Sequence, residues 1–280
     1  MIPWFQLTTF HLGSIPIQVW GLWVALGMVL TMLILWYRGR RLGFDTQKLI
    51  DQGLWMIVGG MIGARFFHVF LYEPAFYFSA PLEIFKIWHG GLSSFGGIVG
   101  AVVGFFLYTL KESKNKAIPP LVGEGEGGVT SEPRRLLFQK SDLISYAAVF
   151  GWLIGRLGCV FIHDHPGVQC NCFLAVRWPG GPRLDMAILE ILGLIPLAII
   201  FFVLRDRKKP AGWHTSILFI YYGVLRFILD FWRATDIVGS DVRYLGLTPA
   251  QYFAILLVFV GGYFFFSQRK NTTANDGRIA

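Results

Sequence analysis

Residues 151–167 read GWLIGRLGCVFIHDHPG. The segment before it, 143–154, is largely apolar, and Arg156 then stands between Gly155 and Gly158 in otherwise hydrophobic sequence. Three ionisable residues, His163, Asp164 and His165, follow before a Pro-Gly pair breaks the helical pattern. This is the end of a membrane span with an arginine placed inside it. A guanidinium at a span centre costs about 2.5–3.5 kcal/mol on insertion scales, and less near an interface. Such a residue either snorkels to the headgroups or faces a partner or a wet cavity.

Outward from that stretch, the composition agrees with a membrane protein. The chain has 280 residues, 54% of them hydrophobic and only 15% charged, where soluble domains carry about a quarter. The net charge of +8 does not point to nucleic acid, because the Lys and Arg gather in loops between apolar runs instead of on one polar face. Three cysteines, Cys159, Cys170 and Cys172, are too few and odd in number for a disulfide framework. The N-terminus lacks a basic n-region and an A-x-A site, so the first apolar run is expected to remain as an anchor.

Seven runs have the length a bilayer requires: 17–37, 54–72, 92–110, 143–162, 186–204, 215–232 and 250–267. The expected fold is all-α, a polytopic protein with seven transmembrane helices around a polar cavity open toward the periplasmic side. Residues 1–270 form one membrane domain in this reading. Within it, 111–142, with its Pro-Pro and Gly-Glu repeats, is a flexible cytoplasmic linker, and 271–280 is a polar cytoplasmic tail. Most Lys and Arg lie in 38–53, 111–142, 205–214 and the tail, against Lys86, Arg177, Arg183, Arg233 and Arg243 on the other side. The positive-inside rule then puts the C-terminus in the cytoplasm and the N-terminus outside. No internal repeat marks an inverted-repeat transporter.

Arg65, Arg156 and Arg226 lie inside spans. Arg226 and Asp230 are four apart on one helix face, as an ion pair would be. Arg156 has no carboxylate at helical spacing, and a lipid phosphate is the natural anion for its bidentate fork. The cost of inserting these charges is easiest to explain if they converge on one polar chamber. The glycines of 90–97 either bring backbone N–H groups to a headgroup or let helices pack closely. His163 or His165 can handle protons near neutrality. The spacing H-x-H…C-x-C fits no strong zinc signature, and no metal is expected.

Several elements, in order, resemble one family. VWGL at 19–22, GAR at 63–65, WHGGLSSFGG at 88–97, GRLG at 155–158, YGVLRFILDFWR at 222–233 and LTPAQ at 247–251 are similar to motifs of prolipoprotein diacylglyceryl transferase. Phe95 stands where the family has histidine. LDMAILE at 184–190 keeps only the terminal glutamate of the family's H-P-S-Q-L-Y-E.

The resemblance implies a bacterial inner-membrane enzyme without cofactor. Its partners are phosphatidylglycerol, lipobox-containing prolipoproteins and membrane lipids, with no nucleic acid. It moves the diacylglyceryl group of the lipid to the lipobox cysteine thiol and releases glycerol 1-phosphate. On this reading Arg156 and Arg226 grip the phosphate, Asp230 orients Arg226, and Arg65 and Arg233 hold the headgroup or its exit route. Ser93 and Ser94 donate to glycerol oxygens, Trp20 joins the substrate-binding set, and His163 or His165 deprotonates the thiol. The alternative is a non-catalytic phospholipid-binding paralogue on the same scaffold.

Overall fold

The computed structural model describes residues 1–86, 90–114, 133–237, 241 and 243–276. Among them, seven helices are long and apolar enough to cross a membrane. Their outward positions carry exposed apolar side chains such as Val29, Leu33, Ile62, Val203 and Phe259, as lipid-facing surfaces do. The chain clusters into two compact units, 1–34 with 133–280 and 35–132.

The second unit holds the C-terminal part of α1 (Val19–Arg41), then α2 (Thr46–Phe67), which continues as one π-helical turn, His68–Tyr72. Asp45 caps α2 by accepting from Gln47 N (3.1 Å) and Lys48 N (3.3 Å). A short helix α3 (Pro74–Ser79) and a 3-10 turn (Pro81–Phe85) lead to α4 (Ser94–Lys114). Glycine decides the α2–α4 packing. A Cβ at Gly59, Gly63, Gly100 or Gly104 would run into the backbone of the facing helix, so the small residues permit near-contact of the two main chains.

The first unit begins with a hairpin, β1 (Thr9–Leu12) and β2 (Ile15–Gln18), registered Thr9↔Gln18 and Leu12↔Ile15. Its turn uses Gly13 at φ +64°. The N-terminal part of α1 then packs on α5 (Pro133–Ile162), where Gly27 faces Gly151 and Gly155, and Gly158 faces Trp20 and Trp23. After α5 comes an antiparallel sheet, order β3-β5-β4 (Pro166–Gln169, Gly181–Asp185, Val176–Trp178). Helices α6 (Met186–Val203), α7 (Trp213–Leu229) and α8 (Pro249–Asp276) complete the unit. Tyr146, Val149, Leu194, Leu197, Phe201, Leu218 and Tyr222 form the core among α5, α6 and α7.

Three differences from the sequence expectations have local causes. Residues 1–16 and 163–185, read as a lead-in and a loop, contain the strands, which are too short to show a period. The helix of the fourth span begins already at Pro133, because the charged residues of its first turns hide it from a hydropathy reading. Likewise α4 runs to Lys114 and α8 to Asp276, into segments expected as linker and tail. Most of the expected linker, 115–132, lies outside the described residues, as do Trp88 and His89 and residues 277–280. Replacing Gly100 by Val should cost about 1–3 kcal/mol by overpacking, read as a lower thermal midpoint of the purified protein in detergent. An unchanged midpoint would contradict the close α2–α4 approach.

Candidate active site

The site is built around one carboxylate. Asp185 caps α6 by accepting from Ala187 N (2.8 Å) and Ile188 N (3.2 Å). That fixes the start of the helix and places Glu190 one turn inside it, with a side chain only 1% exposed. Arg156 from α5 meets Glu190 as a fork, Nε to Oε1 at 2.9 Å and Nη2 to Oε2 at 2.6 Å. Arg226 from α7 donates from Nη1 to Oε2 at 3.1 Å, and the Tyr222 hydroxyl donates to Oε1 at 3.1 Å. Tyr222 and Arg226 are four apart and share a helix face. Arg156 therefore has a protein carboxylate as its partner, where sequence spacing alone offered only a lipid phosphate.

A second carboxylate continues the chain of charges. Arg226 Nη2 lies 3.2 Å from Asp230 Oδ1, as the i, i+4 spacing anticipates. The Thr248 hydroxyl donates to Asp230 Oδ2, and Arg243 donates to the Asp230 carbonyl at 3.3 Å. Thr248 also caps α8: Gln251 N donates to its Oγ1 (3.2 Å) while Thr248 N donates to Gln251 Oε1 (3.0 Å). This reciprocal capping box gives the LTPAQ element a physical reason. Arg233 lies 3.9 Å from Asp230 and 2.5 Å from Asp241.

The two histidines separate. His163 ends α5 with a left-handed backbone, φ +49°. Its ring is buried, stacked on Trp4 at 4.8 Å and bonded through Nδ1 to Asp185 Oδ2 at 2.5 Å. It ties the end of α5 to the start of α6 and does not reach the arginines among its described contacts. His165 does stand among them. Its pKa is lowered to about 3, first by burial and then by the positive fields of Arg156, Arg233 and Arg226. Its Nδ1 faces the Asp164 carbonyl at 3.0 Å. A carbonyl only accepts, so Nδ1 carries the proton and Nε2 is left as the acceptor. Burial pushes neighbouring Asp164 up to about 6.

Cys159 is the free thiol of this region, buried with Sγ 3.6 Å from Arg156 Nη1 and hydrogen-bonded to Trp20. The ligand atoms of Cys159, Asp164 and His165 lie within 4.8 Å of one another. Three guanidiniums bearing on His165 make this a poor setting for a cation and a good one for an anion.

The remaining expected residues belong to the other unit. Arg65 is buried and donates to the carbonyls of Ile84 (2.9 Å), Gly91 (2.9 Å), Gly90, Glu83 and Lys86, beneath the Tyr77 ring. These bonds hold the 3-10 turn and the loop after it. Ser93 Oγ accepts from Gly96 N at 3.3 Å and so caps α4; the side chain of Ser94 lies outside the described ones. Phe95 packs edge-on against Phe67. Sequence reasoning gave no role to Glu190, Tyr222 or Asp185. Two carried a signal: Tyr222 by its four-residue spacing from Arg226, and Glu190 as the glutamate retained at the end of the 184–190 element.

A family model described as "Prolipoprotein diacylglyceryl transferase" matches residues 8–121 and 129–267. Among curated relatives, the phosphatidylglycerol–prolipoprotein diacylglyceryl transferase of Aromatoleum aromaticum is 29% identical, over 92% of this chain and 94% of that protein. The protein of the same name from Azoarcus sp. is 28% identical, over 92% and 93%. That of Polynucleobacter asymbioticus is 26% identical, over 97% and 98%.

Replacing Glu190 by Ala leaves two buried guanidiniums without their shared anion. The expected cost is about 3–5 kcal/mol, measured as a lowered thermal midpoint, and an unchanged midpoint would refute the central role of this carboxylate. His165 offers a second test. Its folded pKa lies below its ordinary value, so on acidification only the unfolded chain takes up this proton. The stability it contributes is complete above about pH 6.5 and falls as pH drops toward 3. Mass spectrometry should accordingly find His165 as reactive toward diethyl pyrocarbonate at pH 5 as at pH 7, where an ordinary imidazole loses most of its reactivity.

Proposed function

Because the chain belongs to the prolipoprotein diacylglyceryl transferase family, we propose that it transfers the diacylglyceryl group of phosphatidylglycerol to the lipobox cysteine of secreted precursors, releasing glycerol 1-phosphate. The observation that carries this reading is the convergence of Arg156 and Arg226 on one buried carboxylate, with Arg233 beside Asp230. Glu190 and Asp230 are buried, while the third partner, Asp241 on Arg233, is 41% exposed, so a phosphodiester monoanion can take its place. Glu190 and Asp230 fix the guanidinium planes in advance. Donors set before the reaction stabilise developing charge at little reorganisation cost.

In the reaction, Arg156 and Arg233 donate to the phosphate oxygens, and Arg226 is held in place by Glu190 and Asp230. Neutral His165 accepts a hydrogen bond from the thiol at Nε2, and the positive field of the arginines draws the thiol toward its thiolate, the proton passing to solvent. A thiol with pKa near 8.5 needs such an acceptor, or a positive field, at neutral pH. The thiolate attacks the glycerol carbon that bears the phosphate oxygen. The carbon–oxygen bond breaks, the electron pair passes to the phosphate of the departing glycerol 1-phosphate, and the guanidiniums balance that charge. His163 is a positioning residue for the turn that carries His165. Trp20 supports the wall at Gly158 and Cys159.

The multi-pass chain sits in the bacterial plasma membrane in this proposal, with its N-terminus and the site toward the periplasm and its C-terminus in the cytoplasm. The distribution of Lys and Arg supports that orientation. Phe95, in place of the family histidine, favours a second reading: a lipid-binding relative that does not transfer. One experiment separates the two. Purified protein is given acyl-labelled phosphatidylglycerol and a lipobox peptide. Label on the peptide, lost at least about a hundredfold in Arg156→Ala and Arg226→Ala and reduced in His165→Ala, is the expected result. Lipid binding with no labelled peptide would establish the second reading and overturn the first.

A further inference from the structure

Cys170 and Cys172 are joined by a disulfide across a single intervening residue. A cross-link stabilises mainly by restricting the unfolded chain, and more so for longer loops. This one closes the smallest of loops and restricts little. The folded segment is also held without it. Cys170 N donates to Pro182 O (3.0 Å), Ala175 N to Cys172 O (3.1 Å), Ile2 N to Ala175 O (2.8 Å) and Arg177 N to Ile2 O (3.1 Å). The ladders Gln169↔Arg183 and Val176↔Arg183 flank the disulfide on either side. The bond is thus redundant for the architecture.

Its position suggests another use. Both cysteines are half-buried, Asn171 between them is exposed, and Phe173 beside them is 79% exposed. The disulfide is therefore reachable and carries an apolar side chain next to it. Strand β3 begins directly after His165. Gly167 bridges to Arg233, and Ala234 N donates to Pro166 O at 3.1 Å. Cys170 is thus the fifth residue after His165, no more than about 18 Å away along an extended chain. The proposed substrate brings a cysteine thiol to this same end of the unit.

We infer that the Cys170–Cys172 disulfide is a reversible docking site for the cysteine of an extended peptide, engaged by thiol–disulfide exchange at the strand that follows His165. The peptide thiolate attacks one sulfur of the pair, the bond between Cys170 and Cys172 breaks, and a mixed disulfide forms. The other loop cysteine leaves as a thiolate and takes the proton that the incoming thiol gave up. In the reverse step the loop thiol gives its proton up to solvent, attacks the mixed disulfide as a thiolate, restores the original bond and releases the peptide sulfur as a thiolate. No electrons are gained or lost over the cycle, so no external oxidant is required. Exposed disulfides are the ones that exchange readily. The released sulfur leaves as a thiolate from a loop five residues along the chain from His165. The inference rests on the proposed function for the identity of its peptide, but the docking step involves no lipid.

The test uses the full-length oxidised protein in detergent free of phosphatidylglycerol, with a lipobox peptide carrying one cysteine. After quenching with excess N-ethylmaleimide in denaturant near neutral pH, intact mass spectrometry should show one peptide and two maleimides added together, one on Cys159 and one on the released loop cysteine, against a single maleimide on the unreacted protein. Reductant should remove the peptide, and fragment mapping should place it on Cys170 or Cys172. A peptide with serine in place of its cysteine should add nothing. In the transfer assay, Cys170→Ser/Cys172→Ser should raise KM for the peptide several-fold. Absence of the mixed disulfide on the unmodified protein, or its formation on Cys159 alone, overturns the inference whatever the variant does. Adduct formation without lipid transfer leaves the docking site standing and refutes the proposed reaction instead.

Discussion

A single buried negative charge, on Glu190, holds the first unit together electrically. It receives the fork of Arg156, one arm of Arg226 and the hydroxyl of Tyr222, and so joins three helices at one point. Each guanidinium alone would be expensive to keep within a hydrocarbon layer. Shared with a carboxylate that is itself fixed by a capped helix, each becomes an oriented donor. The same arrangement that lets the helices insert also leaves donors free for a second anion, because Arg156 Nη1 contacts only a thiol in this set and Asp230 steadies the other arm of Arg226. Stability and anion binding here draw on one set of contacts.

Much of the fold was legible because the bilayer imposes length and hydropathy together. Each span announces itself, and the glycines of α2 and α4 pack as their small size suggests. The Arg226–Asp230 pair was legible for the same local reason, a four-residue spacing on one helix. The Glu190–Arg156 contact was not, since it spans 34 positions, and no periodicity encodes a contact between helices. The strands β3, β4 and β5 were equally hidden, since three to five residues each are too short to show an alternation.

His163 and His165 show where composition stops being informative. Both lie in one short polar run after a hydrophobic helix, with similar neighbours in sequence. The left-handed turn at His163 sends that ring under Trp4 and onto Asp185, while His165, two positions on, faces the guanidiniums. Arg65 makes the same point. Its G-A-R setting reads like a ligand-binding element, yet backbone carbonyls of a loop that follows α3 take up its donors. What a charged side chain does in such a protein is decided by which acceptors the tertiary fold brings to it.

The capping box at the start of α8 carries a consequence for how the molecule is made. Thr248 begins that helix and at the same time satisfies Asp230, the residue that steadies Arg226. Ribosomes deliver α8 after every other helix of the unit. Until it emerges and docks, Asp230 lacks its hydroxyl donor and the charged cluster is incomplete. The order of synthesis thus delays maturity of the centre until the whole unit has entered the bilayer.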